Sequence, residues 1–344
     1  IETRGDGWAL SERVRDLFLP GDIRAMLVAR LDQLDMNVKE IVQTAAVLGR
    51  VFSVPVLAEM TVDVSVVEKN VQEAERHDIW KIAGDDQYVF THGLLRDAAY
   101  TMQMRAHRQD LHRLAVNALE KNYGADAQFH SAELAHHAEL GELKPKALHY
   151  YSLAGKASAE AYQNNQAIEY YTRAYSFTAF DDFENQYRLL LERVNLYGRI
   201  GNRALQARDL DALEKLAVQL RDDRRLATAW RLYAHYYFTI GDYQNTLQTS
   251  ERVIEISMRL EEPEIALGIY LVRSQASFRL GRVEEAIARQ RDGLDLARTL
   301  KNRVEEGRSL TALGLILLES RQPALAVEHM EQAVEIAREV GDRV

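Results

Sequence analysis

The 344-residue chain contains no cysteine and only 5 prolines. Without a thiol, the chain cannot form a disulfide scaffold, a cysteine-ligated zinc site, an iron–sulfur cluster or a thiol nucleophile. No run of 18 apolar residues occurs, so the sequence predicts no membrane-spanning helix. With 47% hydrophobic and 28% charged residues, the composition is that of a folded globular protein. We therefore expect a cytoplasmic protein that does not engage a membrane.

Motifs of catalysis are missing as well. The sequence has no G-x-x-x-x-G-K-[S/T] phosphate loop, no G-x-S-x-G nucleophile turn and no H-E-x-x-H zinc motif. These absences predict a chain that is not itself an enzyme and holds no cofactor. His130, Glu133 and His137 share one face of a predicted helix, but three such residues lack further ligands, and we interpret them as a solvated or interhelical face rather than a metal site. The chain starts at Ile1 without a signal-peptide pattern, so we expect a fragment of a longer protein.

From about residue 182 onward, the sequence overlays itself at a shift of 40 residues. Glycine recurs between helical patterns at Gly201, Gly241 and Gly281, and Arg321 takes the fourth position. Glycine there favours the left-handed conformation that ends one helix and leads into the next. Large residues are followed four positions later by small or medium ones, in the pairs Leu190 and Val194, Trp230 and Ala234, Tyr270 and Ser274, and Leu310 and Gly314. This pattern predicts antiparallel helix pairs that pack closely.

The pattern resembles the tetratricopeptide repeat, in which a large residue, a small one, a glycine before the second helix and a late alanine recur. The usual period is about 34 residues, so a period of about 40 predicts helices that are about one turn longer in total. An earlier unit fits the same positions at Tyr151, Gly155, Ala167, Tyr171 and Ala174. The resemblance implies an α-solenoid.

The first 123 residues do not repeat. Helices are predicted from Asp22 and over 38–48, 54–60 and 64–77, and strands over 79–82 and 88–90 meet at a Gly/Asp turn. Helices followed by a hairpin are the order of a winged helix. The predicted fold class is therefore mainly α, a winged-helix domain with a small β-hairpin followed by the tetratricopeptide-like α-solenoid.

A winged helix raises the alternative of a transcription regulator that contacts DNA. The whole chain has a formal net charge of −9, and 8 basic residues stand against 13 acidic ones between Asp22 and Asp97. The helix before the hairpin is also more acidic than basic, so it would repel phosphates. Nucleic acid is therefore the disfavoured partner.

Several segments of the first half resemble one family, the signalling ATPases of the STAND class, which join an AAA-like nucleotide module, a winged helix and a long repeat tail. The resemblance rests on residues 19–20, 29–34, 45–52 and 90–100, with Arg108, Leu111 and His112. It is closest to large bacterial regulators that carry a class III adenylate or guanylate cyclase, a protein kinase or a transcription-factor domain. Because the phosphate loop is absent, the resemblance implies that this chain is the piece after the ATPase core, and that ATP or ADP binds in the intact parent.

The resemblance also implies four regions and two nucleotide contacts. Residues 1–19 would be a remnant of the nucleotide-binding module, 20–104 the winged-helix domain, 105–141 a degenerate helical pair and 142–344 the repeats. In such proteins, a histidine of the winged helix touches the ADP phosphate, and His92 matches that position. A helix start with an imidazole suits a phosphate. Pro20 would line the adenine side.

The repeat overlay also places six polar residues on the inner face of the first helices. These predicted partner-binding residues are Asn195, Arg199, Arg231, His235, Gln275 and Arg279. Stacked repeats form a continuous concave surface, and arginines there can bind carboxylates through two parallel hydrogen bonds. We expect an acidic segment as ligand, from a partner protein or from the upstream domains of the same polypeptide. The alternative is that these side chains are merely solvated.

Overall fold

The computed structural model of the chain describes residues 2–4, 7–9, 21–61 and 66–341. It divides into two compact units, residues 1–157 and 158–344. The four regions inferred from the sequence, with limits at 19, 104 and 141, stay predictions, because this division reflects compactness alone.

The first unit consists of helices of 6 to 19 residues and small sheets. Its elements are β1 (Glu2–Arg4), β2 (Gly7–Ala9), α1 (Gly21–Asp32), α2 (Met36–Leu48), β3 (Val51–Ser53), α3 (Val54–Glu59), α4 (Val67–Arg76), β4 (Trp80–Gly84), β5 (Gln87–Phe90), α5 (Gly93–Thr101), α6 (Arg105–Tyr123), a 3₁₀ helix (Gly124–His130), α7 (Ser131–Leu140) and α8 (Lys144–Glu160), whose last turn belongs to the second unit.

The core of the first unit lies between α1, α2, α4, α5 and the inner side of the sheet β3-β5-β4. All three strands are antiparallel to their neighbours, with Phe52 opposite Tyr88 and Trp80 opposite Phe90. Phe52, Trp80 and Phe90 are fully buried and meet edge to face or tilted, which adds to the burial of their surface. The indole nitrogen of Trp80 donates to the carbonyl of Val71 at 2.9 Å, so the buried polar group is satisfied.

The second unit is a stack of helix pairs. After α9 (Asn164–Ser176), the pairs are α10 (Phe183–Ile200) with α11 (Arg203–Leu220), α12 (Asp223–Thr239) with α13 (Tyr243–Leu260), α14 (Ile269–Arg279) with α15 (Val283–Thr299), and α16 (Arg303–Glu319) with α17 (Pro323–Val340). Except for α14, these paired helices have 17 or 18 residues. The chain is thus mainly α and ends in an α-solenoid with a period of 40, as the sequence predicted.

The junctions between helices follow from local sequence. Gly241 has a φ of 81° and Arg321, in the corresponding position, a φ of 61°, so both take the left-handed conformation. Most helices of the stack begin at an Asp or Asn whose side chain accepts the backbone N–H three residues on, which satisfies a donor that the helix leaves unpaired. These caps are Asp182, Asn202, Asp222, Asp242 and Asn302.

One first helix departs from the pattern. In place of the expected first turns of α14, residues Pro263–Ala266 form a 3₁₀ helix, and Gly268 takes a left-handed φ of 77°. Helix α14 therefore has 11 residues. The proline fixes its own φ and removes a backbone donor, and the glycine permits the left-handed turn before the helix resumes.

Candidate functional site

We call the side of the first helices α10, α12 and α14 that carries the six predicted partner-binding residues the inner face. The six predicted partner-binding residues lie on these helices; Asn195, Arg199, Arg231, His235 and Arg279 are exposed, and Gln275 is half-buried. By contrast, the small packing residues Val194, Ala234 and Ser274 are 0% exposed. The packing residues and the polar residues therefore lie on different sides of each helix.

In the part of the chain that the structure describes, the three arginines of the inner face have no ionic partner, unlike many arginines of the same unit. Within the described residues, Arg199, Arg231 and Arg279 form no ion pair or side-chain hydrogen bond. Many arginines elsewhere in the unit meet carboxylates of other helices or of the loops between them, in the pairs Arg224 with Glu262, Arg225 with Glu184, Arg259 with Asp223, Arg273 with Glu251 and Arg303 with Glu339. An unpaired guanidinium retains its planar set of donors for a carboxylate on another molecule.

Two features shape the site around Arg231. A depression of about 240 Å³ is lined by Arg224, Ala227, Thr228 and Arg231 of α12 and by Glu262, Glu264 and Ile265, so it holds carboxylates as well as guanidiniums. His235 lies one turn further along α12. Although His235 is exposed overall, partial burial lowers its pKa and the positive charge of Arg231 lowers it further. The lowered pKa favours the neutral ring, which both donates and accepts hydrogen bonds.

His92 lies in the first unit, immediately before α5. It is exposed, and its backbone carbonyl accepts the N–H of Leu95 at 3.0 Å and of Arg96 at 3.4 Å. Its side chain makes no hydrogen bond to the N-terminal backbone of α5, so the imidazole does not cap the helix. Pro20, the other residue matched to a nucleotide contact, lies outside the described residues.

The three residues weighed as metal ligands have separate partners. His137 is buried, and its Nδ1 lies 2.9 Å from Nδ1 of His112, while Glu133 accepts the hydroxyl of Tyr123 at 2.7 Å. The ring of His130 stacks on Tyr123 with centroids 3.7 Å apart. Within the described residues, no group of three or more His, Cys, Asp or Glu side chains converges on a metal site.

One surface was missed by the sequence reasoning. A groove of about 650 Å³ runs along α16 and α17 and is lined mainly by aliphatic side chains, with Gln275 and Arg308 among its polar residues. In the 40-residue columns, Met330, Val334 and Ala337 correspond to Gln290, Leu294 and Ala297, which are buried in α15. An apolar residue in an amphipathic helix is ordinarily read as core, so exposure could not be inferred from its type.

Comparison with known proteins agrees with this architecture. Residues 266–339 match the family model described as tetratricopeptide repeat. The repeats are of the tetratricopeptide type. The solved structure of BtubC (BKLC) from P. vanneervenii superposes with a TM-score of 0.50 at 12% identity, over 70% of this chain and 94% of that one. At that identity the likeness shows the fold, which for the tetratricopeptide region is an α-solenoid.

Two further proteins are similar over more of the chain. A protein of Rhizobium meliloti with the description "uncharacterized" is 25% identical over 297 residues, which cover 82% of this chain and 29% of that protein. The chain thus spans less than a third of this relative's length. A Signal Transduction ATPase with Numerous Domains (STAND) protein with a tetratricopeptide repeat sensor, from Pyrococcus horikoshii, aligns over 97% of this chain and 53% of that one, with a TM-score of 0.45 and 12% identity. In the described part of the chain, no helix is long and apolar enough to cross a membrane.

Proposed function

We propose that this chain is a non-catalytic interaction segment whose inner face binds an acidic stretch of protein. The ligand is either a partner protein or the upstream domains of the same polypeptide. The observation that carries the proposal is the set of three exposed guanidiniums, on Arg199, Arg231 and Arg279, that have no acidic partner within the described residues, whereas Arg224 and Arg225, on the same helix as Arg231, each have one.

The spacing of the helices sets the pattern of the ligand. Packed helices lie about 8–10 Å apart, and an extended chain advances about 3.3 Å per residue. An extended peptide that crosses the first helices therefore passes from one to the next in about three residues. Arg279 lies eight residues beyond the position equivalent to Arg231, about 12 Å further along its helix, so a ligand with several carboxylates close together is needed to reach both.

We further propose that the chain regulates a nucleotide-switched signalling protein of the STAND class, in which the first unit acts as a winged helix. This part rests on the resemblance of the first unit, on its helices followed by a hairpin, and on the exposed imidazole of His92 at a helix start. ATP or ADP would bind in the parent, where His92→Ala should weaken ADP retention. Equal ADP affinity of the variant and the parent, measured by calorimetry, would remove His92 from the switch.

The arginine site is tested with a fluorescein-labelled 15-residue peptide that carries glutamate at every third position. Fluorescence anisotropy should show saturable binding to the full chain that weakens as salt increases, because exposed ion pairs are screened. The variant with both Arg231→Glu and Arg279→Glu should bind at least tenfold more weakly, a change of about 1.4 kcal/mol.

A matched control makes the same change of charge elsewhere. Arg291 is exposed on the second helix α15 and forms no ion pair within the described residues, so Arg291→Glu should bind the peptide like the parent. Thermal unfolding followed by circular dichroism verifies that all variants are folded. Undiminished binding by the double variant, or an equal loss in Arg291→Glu, would show that the inner face is not the site.

A further inference from the structure

The interruption before α14 creates a small pocket at one repeat of the second unit. The first helices α10, α12 and α16 begin at residues 183, 223 and 303, whereas the equivalent turn forms a 3₁₀ helix and α14 begins only at Ile269. The depression of about 240 Å³ is lined by residues of this segment and of α12. Pockets for drug-sized ligands measure about 300–1,000 Å³, so this one has the size for a smaller molecule. We call it the α12 pocket.

Two opposite charges line the α12 pocket without neutralising each other. Arg231 of α12 and Glu264 of the 3₁₀ helix are both exposed, and neither forms an ion pair within the described residues. The other two charged residues of the lining, Arg224 and Glu262, do meet, with Nε of the arginine 2.8 Å from a carboxylate oxygen. The α12 pocket therefore offers a ligand both a guanidinium and a carboxylate.

The 40-residue period explains why Glu264 has no partner of its own. Glu184, at the equivalent position of α10, pairs with Arg225, which follows it by 41 residues. The residue 41 positions after Glu264 is Glu305, whose own carboxylate lies 2.6 Å from Arg308. The repeat that would supply a cation thus supplies an anion, so the carboxylate of Glu264 stays available to a ligand.

The rest of the lining indicates the body of that ligand. Ala227 of α12 and Ile265 of the 3₁₀ helix contribute aliphatic surface. Two basic and two acidic side chains line the α12 pocket, so their charges sum to zero and a singly charged ligand would leave one free group without a partner. A molecule that carries both a carboxylate and an ammonium group satisfies Arg231 through parallel hydrogen bonds and Glu264 through a charge-assisted one.

We propose that the α12 pocket binds a small zwitterion with an aliphatic side chain, of the class of the free α-amino acids. Its carboxylate pairs with Arg231, its ammonium group with Glu264, and its side chain contacts Ala227 and Ile265. The small volume and the restriction to one repeat favour a free amino acid over a peptide, which would extend along several repeats. The site shares Arg231 with the inner face but does not depend on an acidic ligand there, because it also requires Glu264.

The test is isothermal titration calorimetry of the full chain at pH 7 with five free amino acids: glycine, alanine, valine, leucine and isoleucine. At least one should bind saturably, with one molecule per chain. Its amide, which lacks the carboxylate, and the carboxylic acid that lacks its amino group should each bind at least tenfold more weakly to the unaltered chain. Arg231→Gln and Glu264→Gln should each weaken binding of the amino acid at least tenfold as well.

Glu261→Gln is the matched control, because Glu261 is exposed three residues before Glu264 and does not line the α12 pocket; this variant should bind the amino acid like the parent. Glu264→Gln should bind the glutamate-bearing peptide at least as tightly as the parent, whereas Arg231→Gln should weaken both ligands, so the two proposals fail separately. Failure of all five amino acids to bind, equal binding by Glu264→Gln, or equal binding of either singly charged analogue would overturn the proposal.

Discussion

The left-handed residues at the helix junctions allow a prediction whose size follows from geometry alone. Gly241 has a φ of 81°, and a Cβ added there would meet no atom within 4 Å. The cost of Gly241→Ala is therefore conformational rather than steric. A non-glycine residue in the left-handed region costs about 1–2 kcal/mol, and the lower entropy of the unfolded alanine chain returns about 0.4–1 kcal/mol. We expect a net destabilisation of about 1 kcal/mol.

The reverse change is available in the same unit. Arg321 occupies the equivalent junction with a φ of 61° and is exposed, so Arg321→Gly should relieve strain without removing packing. The same two terms predict a gain of about 0.5–1 kcal/mol. A double variant that carries both changes should unfold close to the parent, because the two junctions are distant and their effects add.

Thermal unfolding followed by circular dichroism at 222 nm measures both effects. For a unit of this size, 1 kcal/mol corresponds to a shift of about 2–4 °C in Tm. Gly241→Ala should unfold at a lower temperature than the parent, and Arg321→Gly at a higher one. If Gly241→Ala were as stable as the parent, the left-handed glycine would not be what fixes this junction.

Two buried polar pairs lead to the remaining predictions. Arg193 and Asp209 form an ion pair of 2.6 Å with both side chains at most 6% exposed, so Arg193→Met should cost about 3–5 kcal/mol in urea unfolding. Adding Asp209→Leu should recover most of that loss, and a double variant as unstable as the single one would contradict this account. Burial lowers the pKa of His112 to about 4 and that of His137 to about 3, from 6.5. The unfolded chain takes up these protons first, so the stability of the neutral pair is full above pH 6.5 and falls by about 2 kcal/mol per ring at pH 5. His137→Asn should flatten the fall in urea midpoint between pH 7 and pH 5, and an unchanged slope would exclude the pair as its source.

The features of the solenoid that could be predicted from the sequence are those that depend on a few neighbouring residues and recur in each repeat. A glycine or an Asp cap acts on the backbone within a few residues of itself, and four copies at a spacing of 40 reinforce one another. Arg321 has a left-handed φ, as the glycines at the equivalent positions do. The alignment of the fourth repeat was therefore correct although the residue type differs.

Features that depend on contacts between distant segments were not predictable. Strand β3 has three residues and forms because Val51 pairs with Val89 of β5. Its own sequence is too short to show the alternation of apolar and polar residues that predicts a strand. The first helix α1 begins at Gly21, one residue before the predicted cap Asp22, within the usual uncertainty of helix ends. The sequence also did not predict the interruption before α14, although Pro263 and Gly268, at which it occurs, are residues that break helices.

For the candidate site, exposure could be predicted from the sequence and ion pairing could not. The repeat columns predicted that Arg231 is exposed, since they identify which side of each first helix packs. They could not tell Arg231 from Arg224, which lies two turns earlier on the same helix. Arg224 meets Glu262, 38 residues later in the chain, whereas Arg231 has no such partner within the described residues. Pairing is a property of the fold, and it is pairing that singles out the inner-face arginines.

The inner columns also change character along the stack, and this gives a ligand a direction. In one column Arg231 is followed by Leu271, and in the next His235 is followed by Gln275 and then Leu315. Leu271, Gln275 and Leu315 line the groove that runs along α16 and α17. A segment that lies along the inner face therefore meets guanidiniums on α10, α12 and the last turn of α14, and aliphatic side chains earlier on α14 and on α16. Because carboxylates gain from the first surface and lose hydration at the second, we expect an acidic ligand to place its charges toward α10 and its apolar residues toward α16.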